Sequence, residues 1–418
     1  MKVLVVGGGG REHAICAALN RSPRVDKLYC APGNGGIAEV AECVGISATD
    51  IEALEMFARS RADYVVVAPD DPLALGLVDA LEAAGVRAFG PRKDAALIES
   101  SKVFSKDLMK KYGIPTARYA AFTDADDAIR YIREQGAPIV VKADGLALGK
   151  GVVVADSVSA AEDAVRSMML ENKFGKSGAR VVVEEYMTGP EATVLAFTDG
   201  KALVPMISSQ DHKRAYDGDE GPNTGGMGAI CPSPNYTPEL ARICMDTIFK
   251  PTIDALRAEG RPFKGVLYFG LMLTPSGPRV VEYNARFGDP EAQAVLEMLD
   301  GDLLDIMEAV TDGRLAEADV KWKRGASCCV VMASGGYPGQ YEKGKVIRGM
   351  DELPPGVTVY HAGTMRENGK YVTRGGRVLG VTARGDTLAD AVEKAYSGVG
   401  LISWDGAHYR TDIGRRAR

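Results

Sequence analysis

The sequence lacks paired cysteine motifs, long proline or serine runs, an excess of positive charge and any long apolar segment. Its seven cysteines are an odd number and none forms a CxxC motif, so we expect free thiols and no zinc site. A net charge of -6 argues against a general nucleic-acid binder or a protein of anionic membranes. The apolar run at 1–7 gives way at once to glycines, and no apolar span reaches about 18 residues. We therefore expect a cytoplasmic protein without nucleic-acid or membrane partners.

The chain has 418 residues, which is too long for one compact core, and 46% of them are hydrophobic, so it should fold throughout as several domains. Apolar runs alternate with amphipathic stretches over the first hundred residues, which predicts a doubly wound parallel sheet. A continuous helical pattern follows at 93–112. Strands at 139–207 predict a small α+β lobe, and short strands with glycine turns after 321 predict a β-rich domain. We expect domains at 1–101, 102–320 (with the lobe at about 120–190) and 321–418. The glycine-rich stretch 208–228 has little regular pattern and predicts a functional loop.

Four glycines, Gly7 to Gly10, stand between the first strand and the first helix, where backbone N–H groups and the helix dipole can hold a phosphate. A dinucleotide site of the G-x-G-x-x-G type is excluded because its third glycine would fall on Glu12, and no acid ends the next strand. The alternatives are a phosphate-binding turn and a purely structural one. His13, beside this turn, is predicted to pack at the start of the helix.

A second glycine-rich loop, 144–151, lies between two apolar strands. It is not a Walker A motif, which has four residues between its first glycine and its Gly-Lys pair. Here only three residues separate Gly145 from Gly149-Lys150, and Gly151 follows in place of Ser or Thr. Lys142 before the loop and Lys150 within it would direct two cations at triphosphate oxygens. This favours a flexible flap over a nucleotide, with a plain β-hairpin as the alternative.

The strongest local pattern is Glu282-Tyr283-Asn284-Ala285-Arg286. Glu282 and Asn284 are two apart on a predicted strand, so they face the same way and offer hard oxygen ligands for Mg²⁺. Arg286 would continue the alternation and place a cation beside phosphate. Exposed polar residues on one sheet face are the alternative, and Glu184 and Glu185 at an earlier strand end are open to the same interpretation.

These motifs, in this order, resemble the ATP-grasp ligases. The segments Gly10-Arg11-Glu12-His13, Pro32 to Gly36, Asp211 to Arg214 and Gly221 to Gly228 are similar to the glycinamide ribonucleotide synthetase family in particular. The resemblance runs from Lys2 to about Arg384. It implies an ATP-grasp fold and a purine-biosynthesis enzyme whose small-molecule substrates are glycine, 5-phosphoribosylamine and ATP. It also implies Mg²⁺ or Mn²⁺, and a monomer or weak homodimer.

The resemblance also implies a set of site residues. Those expected at the ATP are Lys106, Lys142, Gly149, Lys150, Gly151, Glu184, Glu185, Met187 and Glu191, with Glu191 at the ribose hydroxyls. Those expected at the other substrates are Gly8, Gly9, Gly10, Asn34, Gly35, Asp211, Asn223, Thr224 and Gly225. Arg286, Asp211 and Lys213 are expected to be catalytic. The strand 265–273 contains no acid, so Glu282 and Asn284 should hold the metal with phosphates and water.

Three points stay open from the sequence. A different ATP-grasp ligase, such as a carboxylase or a formate-using purine enzyme, would share the nucleotide site but not the segment 211–228. A non-catalytic nucleotide-binding regulator would lack the metal and phosphate residues. His212 is predicted to be a hydrogen-bonding residue, with a proton shuttle as the alternative.

Overall fold

The fold is described from a computed structural model, which describes residues 1–147, 151–171 and 173–415. Its first part is a sheet of parallel strands in the order β3-β2-β1-β4-β5. The strands are β1 (Lys2–Gly7), β2 (Lys27–Pro32), β3 (Glu42–Cys43), β4 (Tyr64–Val67) and β5 (Arg87–Phe89). The accompanying helices are α1 (Gly10–Asn20), α2 (Ile51–Arg61), α3 (Asp70–Leu75), α4 (Leu77–Ala83) and α5 (Lys93–Ser100).

Both faces of this sheet are buried. Val3 and Val5 of β1 belong to one hydrophobic cluster, whereas Leu4 and Val6, which point the other way, belong to a second. Helical and strand residues therefore cover the sheet on both sides, as parallel sheets require. The predicted doubly wound arrangement is confirmed.

The helical pattern at 93–112 forms two helices instead of the one expected. Ser101 has an extended backbone (φ -136°), and its hydroxyl accepts a hydrogen bond from Phe104 N–H. It thereby caps a new helix, α6 (Lys102–Lys111). The break turns α6 to the cleft described below, where Lys102 and Lys106 lie.

The small lobe contains an antiparallel sheet in the order β6-β9-β7-β8. Its strands are β6 (Tyr119–Phe122), β7 (Ile139–Ala143), β8 (Val152–Ala155) and β9 (Val181–Glu185), and its helices are α7 (Ala125–Gln135) and α8 (Val158–Met169). Both helices pack on one face, where Ile132, Val165 and Val183 share a core. The other face of β7 and β9 is left to line the cleft.

A second antiparallel sheet, in the order β11-β10-β16-β17, stands opposite the lobe. Its strands are β10 (Glu191–Asp199), β11 (Leu203–Pro205), β16 (Lys264–Thr274) and β17 (Gly277–Asn284). Helices around it are α9 (Pro238–Cys244), α10 (Lys250–Ala258), α11 (Glu291–Glu297) and α12 (Leu303–Thr311). A π-helical turn at Met245–Phe249 joins α9 to α10. Turns at Gly200 and Gly277 connect antiparallel neighbours, β10 with β11 and β16 with β17.

The last sheet runs in the order β12-β15-β18-β22-β19, with β23 also paired to β18. Its strands are β12 (Gln210–Asp211), β15 (Gly228–Cys231), β18 (Ala326–Ser334), β19 (Val357–His361), β22 (Arg377–Gly385) and β23 (Ala407–His408), with helix α13 (Leu388–Val399) against it. Two separate hairpins are β13 (Arg214–Tyr216) with β14 (Glu220–Asn223), and β20 (Thr364–Glu367) with β21 (Lys370–Thr373). The fold class, with its β-rich last part, is confirmed.

The stretch 208–228 is thus more regular than its sequence indicates. β12 and β15 attach its two ends to the C-terminal sheet, and β13 and β14 form a hairpin between them. The strands are short and rich in glycine and charged residues, so the sequence shows no strand-like alternation there. In the described ranges, no helix is long and apolar enough to cross a membrane.

Candidate active site

A cleft of about 960 Å³ lies between the lobe sheet and the β10–β16–β17 sheet, and the segment 210–225 closes one side of it. Of the predicted site residues, most line this cleft together: Lys106, Lys142, Gly151, Glu184, Glu185, Met187, Glu191, Asp211, Lys213, Asn223, Thr224, Gly225, Glu282, Asn284 and Arg286. Gly149 and Lys150, which were expected in the flap, lie outside the described residues.

Two lysines meet at one buried carboxylate on the lobe side of the cleft. Lys106 Nζ on α6 and Lys142 Nζ on β7 each lie 3.0 Å from Glu184 Oε2 on β9. Lys106 also donates to Thr116 Oγ1 (2.8 Å), and Lys142 donates to the Val281 carbonyl (3.1 Å). An ammonium group has three N–H donors, so with two partners each among the described residues, one donor on each lysine remains for a ligand. Burial lowers the pKa of Lys106 to about 8, although the charge of Glu184 opposes it.

The rim of this site is formed by the end of β9 and the residues after it. Arg118 and Arg279 hold Glu185 at 2.7 and 2.8 Å, and the hydrogen bonds from Arg118 lower the pKa of Glu185 despite its burial. Met187 follows in the lining. Glu191 is half exposed, 3.8 Å from Lys213 Nζ. This edge therefore offers strand-end backbone groups and one accessible carboxylate.

Glu282 and Asn284 lie at the end of β17 on the opposite wall. A bulge opposite Gly270 and Leu271 leaves Val281 as the extra residue, so the alternation of Glu282 and Asn284 is kept beyond it. Lys213 Nζ is 3.2 Å from Glu282 Oε1, and its charge, against the effect of burial, lowers the pKa of Glu282 to about 2. Asn284 Oδ1 accepts a hydrogen bond from Arg286 at 3.3 Å.

This donor set fits a hard divalent cation. It supplies one ionised carboxylate and one amide oxygen on the same strand face, beside several cations that would bind phosphate. Among the described residues, no group of three His, Cys, Asp or Glu side chains could hold a metal ion. Any metal on Glu282 and Asn284 would therefore take its remaining ligands from substrate phosphates and water.

The alternation of Glu282 and Asn284 predicted that Arg286 would continue the strand, but it does not. β17 ends at Asn284, and the chain bends there. Glu99 of α5 holds Arg286 Nη2 at 2.9 Å and accepts from Ala285 N–H at 2.7 Å. Burial raises the pKa of Glu99 to about 7 although Arg286 opposes this. Arg286 still reaches the cleft, but a helix more than 180 residues earlier positions it.

Asp211, the last residue of β12, and Lys213, two residues further on, both line the cleft. Burial raises the pKa of Asp211 well above its usual value, and the charge of Glu291 adds to the shift. Thr224 closes the base of the neighbouring hairpin, since its Oγ1 donates to the Lys213 carbonyl at 2.8 Å. His212 is buried with Nδ1 3.2 Å from the Gly228 carbonyl, in the hydrogen-bonding role predicted for it.

The N-terminal substrate residues are placed differently. Gly8, Gly9, Gly10, Asn34 and Gly35 are not among the described residues that line the cleft. The Gly9 N–H donates to Glu12 Oε2 at 2.6 Å, so a carboxylate already occupies this helix N-terminus. Asn34 donates to the carbonyls of Gly8 (3.0 Å) and His361 (2.7 Å). Their role in binding substrate stays a prediction.

His13 packs at the start of α1, as expected, and its Nδ1 accepts a hydrogen bond from His361 N–H at 2.8 Å. Both histidines are buried. Together with Asn34, they connect the first turn of the chain to the C-terminal sheet.

Several cleft residues carried no prediction. Asp289 and Glu291 stand directly after Arg286 in the same motif, which was a usable signal. Arg377 and Tyr337 come from the C-terminal part, where nothing local indicates the cleft. Arg377 Nη1 donates to the carbonyls of Gly225 and Asp289, both at 2.6 Å, and Tyr337 Oη accepts from Gly225 N–H at 3.1 Å.

Comparison with known proteins agrees with this arrangement. The chain matches the phosphoribosylglycinamide synthetase N domain over residues 1–99, the ATP-grasp (A) domain over 100–292 and the C domain over 327–416. A phosphoribosylamine–glycine ligase of Caldanaerobacter subterraneus subsp. tengcongensis is 49% identical, with 99% of each chain covered. One from Brucella melitensis biotype 1 is 50% identical over 100% of this chain and 98% of that one.

Solved structures give the same result. The phosphoribosylamine–glycine ligase of Thermotoga maritima superposes with a TM-score of 0.87 at 32% identity, covering 99% of this chain and 100% of that one. A biotin carboxylase from Campylobacter jejuni, 16% identical, has a TM-score of 0.76 over 98% of this chain and 92% of that one, which shows the shared fold alone. The expected ATP-grasp fold is confirmed, and the chain belongs to the phosphoribosylglycinamide synthetase family.

Proposed function

We propose that this enzyme joins glycine to 5-phosphoribosylamine in purine biosynthesis, using ATP. The γ-phosphoryl group passes to the glycine carboxylate and gives glycyl phosphate and ADP. The amine of 5-phosphoribosylamine then attacks the acyl carbon, phosphate leaves, and glycinamide ribonucleotide forms with release of a proton. The observation that carries the proposal is one cleft in which the Lys106–Lys142 pair faces the ionised Glu282 across a space of nucleotide size.

The nucleotide would lie along the lobe wall. Lys106 and Lys142, each with a donor left over, would bind the ATP phosphates, together with Lys150 and the glycines 149 and 151 of the flap. The strand edge from Glu184 to Met187 would receive the adenine largely through backbone hydrogen bonds. Glu191, the accessible carboxylate of the rim, would accept hydrogen bonds from the ribose hydroxyls.

Glu282 and Asn284 would hold Mg²⁺ or Mn²⁺. When bound, such an ion offsets charge on the transferred phosphoryl group. The protein's own part is to keep Glu282 ionised, which the neighbouring Lys213 does by lowering its pKa. Arg286, fixed by Glu99, would stabilise the acyl phosphate from the side.

Asp211 and Lys213 would act on the amine side of the reaction. A carboxyl with a raised pKa takes up a proton more readily than an ordinary one, and Asp211 has that character beside the cleft. Asn223, Thr224 and Gly225 would contact the phosphoribosyl group. Gly8 to Gly10, Asn34 and Gly35 complete the proposal for that substrate. Arg11, the residue after Gly10, lines the cleft.

The proposal includes the organisation of the protein. We infer that it works in the cytoplasm as a monomer or weak homodimer. Its domains would be 1–101, 102–320 and 321–418, although β12 and β15 of the middle one pair into the last sheet.

ADP formation tests this function. It should require glycine and 5-phosphoribosylamine together, with each alone giving little turnover. ADP formation with formate or bicarbonate in place of glycine would instead support another ATP-grasp ligase. Tight ATP binding without turnover on any of these substrates would support a nucleotide-binding regulator.

A further inference from the structure

The hairpin segment 213–226 has a second set of contacts, with the C-terminal part of the chain. Lys213, Arg214, Asp219 and Asn223 of this segment line the cleft. Its outer side is held by residues 408–412, which we call the C-terminal clasp. The two segments are almost 200 residues apart in the chain, yet backbone and side-chain hydrogen bonds join them at β13 and at the turn that follows it.

Arg410 is the centre of the clasp. It is an arginine with no exposed surface, and its Nη1 lies 2.9 Å from Asp219 Oδ1 and donates to the Arg214 carbonyl at 3.2 Å. Its Nε and Nη2 donate to Asp412 at 2.7 and 2.9 Å. Asp412 in turn accepts from Gly218 N–H at 3.0 Å. A guanidinium group is buried only where its donors are satisfied, so these partners are fixed relative to each other.

The tip of the hairpin is held by exposed groups. Thr411 N–H donates to Asp217 Oδ1 at 2.7 Å, and the Thr411 hydroxyl donates to the other oxygen of the same carboxylate. His408 Nε2 lies 2.8 Å from the Ala215 carbonyl. The hairpin therefore does not depend on its own short β-ladder for its position.

The turn of the hairpin has an unusual backbone conformation. Asp219 has φ +58°, a left-handed conformation that is uncommon outside glycine. Its side chain pairs with Arg410 while the residue also lines the cleft. The pairing favours this turn over the alternatives available to a short free hairpin.

We propose that the C-terminal clasp is a positioning device for the amine-substrate site: Arg410 and Asp217 hold the hairpin so that Asn223, Thr224 and Gly225 face the cleft. This inference rests on the proposed function. It assigns Arg410 and Asp217 as positioning residues that act through the hairpin and touch no substrate themselves. ATP, bound on the lobe wall, depends on neither.

The test uses Arg410→Met and Asp217→Ala in the full chain. Misplacing substrate contacts costs binding and turnover, so we expect the KM for 5-phosphoribosylamine to rise about tenfold or more in Arg410→Met, and less in Asp217→Ala. Affinity for a non-hydrolysable ATP analogue should stay within about twofold of wild type. Asp405→Ala is the matched control, because this exposed carboxylate pairs with Lys345 of the C-terminal part. It should change neither value.

The possible outcomes distinguish failure of the clasp from failure of the proposed function. If Arg410→Met fails to fold, Asp217→Ala carries the test, since it removes only exposed contacts. Folded variants with an unchanged KM for 5-phosphoribosylamine would overturn the clasp, as would an equal loss of ATP affinity. If wild-type enzyme forms no ADP with both substrates present, the proposed function itself fails, and that result is read before any variant.

Discussion

Lys213 Nζ lies 3.2 Å from Glu282 Oε1 and so joins the segment 210–225 to the end of β17. The contact explains how a partly buried carboxylate stays ionised, since the charge of Lys213 outweighs the effect of burial and lowers the pKa of Glu282 to about 2. It also links the two halves of the proposed reaction, because one partner would hold metal and the other faces the amine substrate.

Removing the charge of Glu282 should stop turnover without unfolding the protein. Glu282→Gln keeps the side-chain shape but loses the anionic oxygen, so we expect kcat/KM to fall by about a hundredfold or more. The melting temperature without ligand should change little. Glu239→Gln, on the exposed side of α9, is the control. Near-normal activity of Glu282→Gln at limiting Mg²⁺ would show that the metal assignment is wrong.

The affinity for ATP should depend on pH through Lys106. Because its pKa is lowered to about 8 in the folded protein, the ammonium is charged below that pH and increasingly neutral above it. The dissociation constant of ATP should therefore rise as pH increases through about 8. In Lys106→Arg the cation persists and this rise should be absent. The measurement is calorimetric titration of ATP into wild type and Lys106→Arg at pH values below and above about 8. The same pH dependence in both proteins would contradict the assignment.

Lys142→Ala should raise the KM for ATP more than that for glycine. Its remaining donor faces the cleft beside Lys106, where the triphosphate is proposed to lie. Lys110→Ala changes an exposed lysine of α6 and serves as the control. Equal increases in the two KM values of Lys142→Ala would remove Lys142 from the phosphate site.

Gly9→Val tests the N-terminal turn. Gly9 has φ -93°, so a side chain causes no backbone strain there, but an added Cβ would lie 2.8 Å from Glu12 Oε2 and 3.4 Å from Asp289 Oδ2. We expect weaker binding of 5-phosphoribosylamine with ATP affinity changed by no more than a few-fold. Gly45→Val, where a Cβ meets nothing within 4 Å, should behave as wild type. A folded Gly9→Val protein that loses ATP binding and keeps its affinity for 5-phosphoribosylamine would move the nucleotide to this turn.

Parts of this site could be predicted because they depend on local rules. The strand alternation that places Glu282 and Asn284 on one face survives in β17, and Lys142 reaches the cleft from a strand just before the glycine-rich loop, where one was expected. The glycine turn after β1 lies where an apolar strand meets the first helix. Periodicity and turn chemistry determine such features within a few residues of each other.

Other parts could not be predicted, because distant segments create them. Arg286 is aimed by Glu99, and Gly225 is held by Tyr337 and Arg377. The hairpin in 213–226 forms against Arg410, whose own sequence surroundings say nothing about the cleft. In each case, the residue owes its position to a partner more than a hundred residues away, and no local pattern contains that information.

The most direct test of the account is the fate of the glycine carboxylate oxygens. Glycine labelled with oxygen-18 in its carboxylate is supplied with ATP and 5-phosphoribosylamine, and the released phosphate is analysed by mass spectrometry. If glycyl phosphate forms, the carboxylate oxygen that bonded to phosphorus leaves with it, so each phosphate should carry one labelled oxygen. Unlabelled phosphate accompanying the formation of glycinamide ribonucleotide would contradict the acyl phosphate reaction and the roles proposed here for Glu282, Arg286 and Lys213.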